Sequence, residues 1–368
     1  MGTILFMVHF RSRSQAPKSS SVQEPVSILK PLKGVDSGLR ENLQSFFSLD
    51  YPKFELIFSV ADARDPACRL IEDLMDKNPG VDARLIIGAV EVGPNPKVNN
   101  MMRGYHQAKY DVTLISDSNV RVPANYLTVL MPDLDDETGV VSAVVSGQAP
   151  QGLGGRLEAT FVNTFYARWM ILGSALGFPM VIGKSMLFRR SVSARFGGIQ
   201  NLSKFLAEDF MAGQAMMHLG LKIKHMRIPC PQVIGKHSFS DFWNRHVRWG
   251  RMRKVQSPLA LFFEPVNGPI VSGLLGAFAA HKLFGVAFGT FFAAHVGFWF
   301  LNDLVVMSFL GAEIPYATPL FWLLREATSI PHWMHILSGN TVLWRGAKLK
   351  LQPGGTLAEP ASAVARTA

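Results

Sequence analysis

Three acidic residues stand at the ends of β-like runs: Asp62 in FSVADARDP, Asp117 in LISDSNVRV and Asp209 in AEDF. A basic-aromatic block, Arg245-His246-Val247-Arg248-Trp249, begins 36 residues after the last acid. Carboxylates at strand ends can hold a divalent cation, and paired guanidinium groups can hold a diphosphate. The combination suits an enzyme that handles a metal-bound diphosphate. Asp117 offers a hard carboxylate and Asn119 a neutral oxygen, the donor types that Mg2+ and Mn2+ prefer. A plain turn is the simpler reading of Asp117-Ser118-Asn119. Asp62 can accept hydrogen bonds from a nucleobase or ribose, or cap the helix that follows Asp65-Pro66. In NPKVNN, Lys97 and the amides of Asn99 and Asn100 open a helix, a place that favours a phosphate or diol; the equal alternative is an ordinary cap with a solvent lysine. Asp209, next to Glu208 at another helix start, either gains from the helix dipole or acts as a general base towards an acceptor hydroxyl. Arg245 and Arg248 share one face if their segment is helical, and Trp249 can wall an acceptor site. The alternative makes this block a positive flank on lipid headgroups, continued by Arg251, Arg253 and Lys254.

The elements that must position these groups alternate. Apolar runs at 26–32, 54–60, 83–87 and 111–117 predict strands, and 39–49, 67–75 and 97–108 predict helices between them. That order predicts an α/β fold with a mostly parallel sheet, whose ligands sit outside the C-terminal strand ends. Asp62 and Asp117 both fall at such ends. Further strands are expected at 140–146 and 181–188, and a helix at 205–219. The composition changes near Pro258. Two apolar tracts, 266–280 and 283–310, follow, and the second is long enough to span a bilayer. Trp299, Trp322 and Trp333 are placed like interface aromatics.

The bulk properties agree with a membrane-associated enzyme. The 368 residues are 48% hydrophobic and only 17% charged, a low charge for a soluble enzyme. A net charge of +10 is compatible with nucleic acid, an anionic membrane or an anionic substrate. The basic residues form no long run and do not interleave with aromatics along a strand pair, which argues against nucleic acid. Cys68 and Cys230 lie far apart with no metal spacing, as expected of reduced thiols in the cytosol. The N-terminal apolar run is too short to span a bilayer and reads as the stub of a membrane anchor, followed by a Ser-rich linker over 12–24.

Taken in order, these residues resemble the ceramide glucosyltransferases, a membrane branch of the GT-A glycosyltransferases (family 21, related to family 2). That family carries three spaced acids and a closing (Q/R)xxRW motif, matched here by Asp62, Asp117, Asp209 and Arg245 to Trp249. The stretches SILKPLKG, YPKFELIFSVADARDPA, VDARLIIG, NPKVNN, AKYDVTLISDSNVRV, REATSIPHW and WRG are also similar, so the resemblance spans about residues 25–355. The chain departs from the wider GT-A pattern at Asp117-Ser118-Asn119, which lacks the second carboxylate of Asp-x-Asp.

The resemblance implies inverting transfer of a sugar, glucose by default, from a UDP-sugar to the primary hydroxyl of ceramide. It implies Asp209 as general base, with Arg245, Arg248 and Trp249 as further catalytic residues. Asp62, Lys97, Asn100, Asp117 and Asn119 would bind the UDP-sugar, and Asp117 with Asn119 a divalent cation, Mg2+ or Mn2+. The expected parts are an anchor stub and linker (1–24), a GT-A domain (25–257), a membrane-associated region (258–345) and a flexible tail (346–368). The catalytic domain is expected to face the cytosol, at a bacterial inner membrane or the Golgi. Competing readings are another lipid acceptor such as diacylglycerol, another UDP-sugar, a processive polysaccharide synthase, and an inactive membrane scaffold. Oligomeric state is not legible.

Overall fold

The computed structural model describes residues 1–13, 23–344 and 347–358. Most of the expected linker at 12–24, Arg345 and Gly346 of the WRG stretch, and residues 359–368 of the expected tail lie outside them. The described chain forms two compact units. One comprises Met1–Ala149 and Ala167–Gly235, the other Pro150–Tyr166 and Lys236–Ala358.

From the N-terminus, α1 (Gly2–Arg13) precedes an alternation of β1 (Val26–Leu32), α2 (Leu39–Phe47), β2 (Phe54–Val60), α3 (Ala67–Lys77), β3 (Ala83–Ile87), α4 (Pro96–Gln107) and β4 (Val112–Ile115). A short α5 (Tyr126–Leu130) leads to β5 (Thr138–Ser142) and β6 (Val145–Gln151). Helix α6 (Gly152–Phe161) belongs to the second unit, and α7 (Ala167–Ala175) to the first. Then come β7 (Met186–Arg189), α8 (Arg190–Ala194), α9 (Glu208–His218), β8 (Lys222–His225) and β9 (Cys230–Lys236). The second unit resumes with α10 (Phe239–Gln256), α11 (Pro258–Phe263), α12 (Pro269–Phe284), α13 (Phe288–Phe309), α14 (Thr318–Leu337) and the antiparallel pair β10 (Thr341–Trp344) and β11 (Ala347–Lys350).

The first unit is built on a seven-stranded sheet in the order β3-β2-β1-β4-β7-β5-β8. The first four positions are mutually parallel, β5 and β8 are parallel, and β7 runs antiparallel to both its neighbours. This is the α/β, mostly parallel architecture expected of a GT-A domain. Strands β1 and β2 are buried almost throughout, as continuous apolar runs covered on both faces must be. Pro31 interrupts β1 only beyond the last β1–β4 pair, where its missing N–H removes nothing from that ladder. Helix α4 packs Val98, Met101 and Met102 against Leu29 and Ile57. It comes so close that a Cβ on Gly104 would lie 2.6 Å from Ser59 Oγ. Helix α1 buries Phe6 and Phe10 in this unit, and His9 Nε2 bonds the Met226 carbonyl at 3.1 Å.

Two strand expectations need correction. The run 140–146 is the end of β5 and the start of β6, which belong to different sheets. The run 181–188 is extended pairing only from Met186. Before it the Ile182 N–H bonds Ser142 Oγ at 3.0 Å, a side-chain contact that takes the place of a ladder bond. Residues 183–185 therefore form a loop at the sheet edge. Both cysteines are buried and form no disulfide, and Tyr126 Oη lies 3.5 Å from Cys230 Sγ.

In the second unit, α6, α10 and α14 pack together. Ser238 and Asp241 form a capping box that starts α10. An added Cβ would lie 1.8 Å from the Ser238 carbonyl at Gly154, a backbone contact that requires glycine, and 2.1 Å from the Ile336 side chain at Gly250, which would have to move. The two apolar tracts are α12 and α13, separated where Gly285 takes a left-handed φ of +68° and ends α12. Helix α13 has 22 residues and is long and apolar enough to cross a membrane. Only Asp303, Val306 and Met307 of it are buried, unlike the core helix of a soluble domain. Segments Pro258–Asn267 and Pro269–Phe284 together pass the same test but meet at a 63° bend. Trp322 is not an interface aromatic. It is 1% exposed, and its indole N–H donates to Asp303 Oδ2 at 2.8 Å. The last basic residues of α10 are engaged by groups of the same unit. Arg251 donates to the Thr341 and His335 carbonyls, Lys254 to those of Leu337 and Gly339, and Arg253 pairs with Glu264. The carbonyls at the end of α14 have no helical partner and draw cations to them.

Candidate active site

The first unit gathers its charges at the C-terminal edge of the parallel strands. Asp117 lies two residues past β4 and Lys184 two residues before β7. The antiparallel register pairs Ile115 with Met186, so the two side chains meet. Lys184 Nζ donates to Asp117 Oδ2 and Asn119 Oδ1, both at 2.9 Å. The other oxygen of Asp117 is 2.9 Å from Lys97 Nζ. Lys97 also reaches Glu208 at 2.8 Å and so bridges the strand-end acid to the acidic pair that opens α9. Lys30, in the middle of the sheet, donates to Ser116 Oγ at 3.2 Å and to the Asp117 carbonyl at 3.0 Å.

The backbone holds this arrangement in place. Asn95 caps α4 by accepting from the Lys97 and Val98 N–H groups, and it donates to Glu208 Oε2 at 3.2 Å. The 117–119 turn is fixed by the Val233 N–H on the Asn119 carbonyl at 2.8 Å. Asp209 accepts from the Gly183 N–H at 2.7 Å and from its own neighbour's N–H, that of Phe210, at 2.8 Å. Gly183 packs close to this cluster: a Cβ there would lie 2.7 Å from Lys97 Nζ, which would have to shift.

The electrostatics separate Asp117 from Asp209. Burial alone would raise Asp117, but Lys184 and Lys97 outweigh it and hold the carboxyl below its ordinary range. Burial would likewise lower Lys97, yet Asp117, Glu208 and Asp209 keep it above the usual lysine value. Asp209 goes the other way. Burial and the neighbouring Glu208 push it up to about 6, against the pull of Lys97 and two backbone N–H groups. Lys30 is pushed down to about 7 by burial. The cluster thus holds one firmly ionised acid and one whose proton is exchangeable near neutral pH, the condition a general base needs.

The remaining expected donor-binding residues are placed differently. Asp62 sits at the same sheet edge, at the end of β2 with β1 between it and Asp117. Its carboxylate is exposed and salt-bridged to Arg64 at 2.8 Å, which with an N–H bond from the same residue lowers it to about 2. Asn100 is buried and donates to the Leu32 and Ser59 carbonyls at 3.0 and 3.1 Å, tying β1 to β2. Its Oδ1 has no partner.

The basic-aromatic motif lies in α10 of the second unit, and its segment is helical as expected. Arg245 donates to both oxygens of Glu158, at 2.9 and 3.2 Å, and His237 Nδ1 lies 2.8 Å from the same carboxylate. Glu158 is wholly buried. Burial would raise it, but Arg245 and His237 hold it at about 2. The Arg245 guanidinium lies 5.7 Å from the Trp249 ring, and Trp249 stacks on Tyr166 at 6.1 Å. His246 is enclosed by Phe161 and Phe242. Lys30, Lys184 and Glu158 are charged residues that the sequence did not bring forward.

The donor types of Asp117 and Asn119 suit a divalent cation, and a lysine ammonium bridging both oxygens shows that the pair attracts a cation. Among the described residues no three of His, Cys, Asp and Glu converge into a metal site, so further ligands would have to come from a diphosphate and water.

A mostly parallel α/β sheet with carboxylates and lysines collected at its C-terminal edge has its charged groups where enzymes of this fold class bind their ligands. The chain belongs to glycosyl transferase family 21, whose family model matches residues 1–357. It is 31% identical over 338 residues to ceramide glucosyltransferase 1 of Caenorhabditis elegans, a match covering 90% of this chain and 72% of that one. It is 30% identical to ceramide glucosyltransferase 3 of the same organism, over 97% of this chain and 80% of the other. Among solved structures, it resembles a mannosyltransferase of Pyrobaculum calidifontis in complex with GDP-Man and Mn2+, with 13% identity, a TM-score of 0.49, and coverage of 91% and 93%.

Proposed function

We propose that this chain transfers glucose from UDP-glucose to the primary hydroxyl of ceramide, with inversion at the sugar carbon. The observation that carries the mechanism is the Lys97 bridge between Asp117 and Glu208, which puts Asp209 in the same charged cluster as the strand-end acid. The names of the relatives supply the donor sugar and the acceptor.

In this reading the Asp209 carboxylate takes the proton of the acceptor hydroxyl as its oxygen bonds the anomeric carbon. The bond from that carbon to the phosphate oxygen breaks, and UDP leaves with the electron pair. Asp209 is suited to the task because its value near 6 leaves it ionised at neutral pH yet still basic. Lys97 holds Asp117 and Glu208 in register and offers positive charge where the diphosphate charge grows. Asp117 and Asn119 would hold a divalent cation, which when bound neutralises charge on the leaving diphosphate. The exposed carboxylate of Asp62 is assigned to the nucleoside. Asn100 acts through the strands it ties together. Arg245, Arg248 and Trp249 keep the diphosphate and acceptor roles implied by the resemblance. The exposed apolar length of α13 supports insertion in a membrane, from which a lipid acceptor would be drawn.

The test is UDP release in detergent micelles, crossing UDP-glucose and UDP-galactose with ceramide and diacylglycerol, in wild type and Asp209→Asn. Turnover with UDP-glucose and ceramide, lost by 10²–10⁴-fold in the variant, is expected. Turnover with diacylglycerol alone would reassign the acceptor. A folded protein that binds UDP but turns over no pair would sink the proposal.

A further inference from the structure

We infer that Lys184 is a built-in cation: its ammonium holds the position between Asp117 and Asn119 that a divalent ion would take, and keeps that ion out until a nucleotide diphosphate arrives. The inference deepens the cation reading given above and rests on it.

The ammonium makes equal contacts of 2.9 Å to the two oxygens that chemistry marks as metal donors. This is not the chance reach of a surface lysine. The Lys184 side chain is 11% exposed, and the residues on either side of it are fixed. The Gly183 N–H is bonded to Asp209 Oδ2 at 2.7 Å, and Ser185 Oγ accepts from Tyr126 Oη at 2.6 Å. Residue 184 is therefore held at this point by groups on both sides, one of them the proposed general base.

The charge balance gives the arrangement a consequence. Lys30, Lys97 and Lys184 face Asp117, Glu208 and Asp209, so the cluster is close to neutral as it stands. A divalent ion entering alone would meet Lys184 at its own site and add uncompensated charge to a largely buried cluster. A diphosphate brings the negative charge that makes room for it. It also offers the lysine ammonium new oxygens as partners, so Lys184 can leave the Asp117–Asn119 pair and stay in the site as a charge on the leaving group. The missing second carboxylate of Asp-x-Asp fits this account, because Asn119 supplies an oxygen without the extra charge that would draw a free ion.

The experiment is Mn2+ binding by electron paramagnetic resonance, on full-length protein in micelles, with and without UDP. Wild type, Lys184→Met and Lys184→Arg are compared, with circular dichroism melts to check folding. Wild type and Lys184→Arg are expected to bind Mn2+ at least tenfold more tightly with UDP than without. Lys184→Met, which keeps the length but loses the charge, should bind Mn2+ without nucleotide at least tenfold more tightly than wild type. Equal nucleotide-free affinities in wild type and a folded Lys184→Met would overturn the inference and leave the glycosyltransferase reading intact. UDP binding measured by calorimetry stands apart: its absence would remove the donor reading, and this inference with it.

Discussion

The two units each enclose a buried carboxylate among cations, and they use it in opposite ways. Glu158 in the second unit is wholly buried and held near 2 by Arg245 and His237, so it never changes charge at any working pH. Asp209 in the first unit has a lysine nearby but is crowded by Glu208, and its value rises to about 6. Two cations directly on one carboxylate make a fixed brace, whereas a second carboxylate beside Asp209, and a lysine already engaged by Asp117 and Glu208, leave a group that can exchange its proton. The difference lies in the count and placement of neighbours, since burial is a feature of both sites.

Asp209→Asn breaks the comparison most sharply. It should lower kcat by 10²–10⁴-fold. Because folding raises this carboxyl from 3.8 to about 6, the group favours the folded state fully below pH 3.8 and loses that contribution as pH rises through 6. Two pH units correspond to about 3 kcal/mol. The variant should therefore melt higher than wild type at pH 7.5, with no advantage at pH 4. A variant that melts lower at pH 7.5 would show that the carboxylate is a brace after all. In wild type, kcat/KM should fall on the acid side of about pH 6, since the base must be ionised to act.

Glu158→Ala is the opposite case. Removing one partner of a buried pair costs about 3–5 kcal/mol, and the lower end applies because Arg245 keeps 25% of its side-chain surface in water. A large fall in apparent melting temperature at every pH between 5 and 8 is expected. A loss confined to one limb of that range would mean that the pair titrates. Gly183→Ala sharpens the first unit's side. Its Cβ would press on Lys97 Nζ, and a displacement of this order should reduce kcat by roughly 10–100-fold. An unchanged kcat would show that Lys97 can move without cost. Asp62→Ala has the smallest expected effect on the fold. Its carboxylate is 53% exposed, so the melting temperature should not change measurably, while KM for the UDP-sugar rises. An unchanged KM would remove Asp62 from the donor site.

Much of this was legible from local pattern. The apolar runs of β1 to β4 and the helices between them follow from periodicity, and with them the strand-end place of Asp62 and Asp117. Asp209 and Lys97 could be read because each opens a helix. Lys184 could not. It lies in an unremarkable Gly-Lys-Ser loop, and only the antiparallel entry of β7 beside β4, 67 residues on, brings it to Asp117. Glu158 was hidden for the same reason, 87 residues from the arginine it holds. Asn100 had the composition of a ligand but is engaged by two strand carbonyls, a role that depends on where α4 lands on the sheet. Trp322 read as a membrane-interface aromatic because its buried partner Asp303 lies on another helix.

The buried cysteines have a practical consequence. Cys68 is 5% exposed, and Cys230 is fully enclosed with its thiol pushed up to about 11. At neutral pH neither offers a usable thiolate to an alkylating probe. The natural chain can thus be treated as a thiol-silent background. A single cysteine at Leu283 or Tyr316, which are 73% and 106% exposed, would take a spin or fluorescent label selectively. The depth of that label in a lipid nanodisc would map how the helices of the second unit meet the bilayer, without removing either native cysteine first.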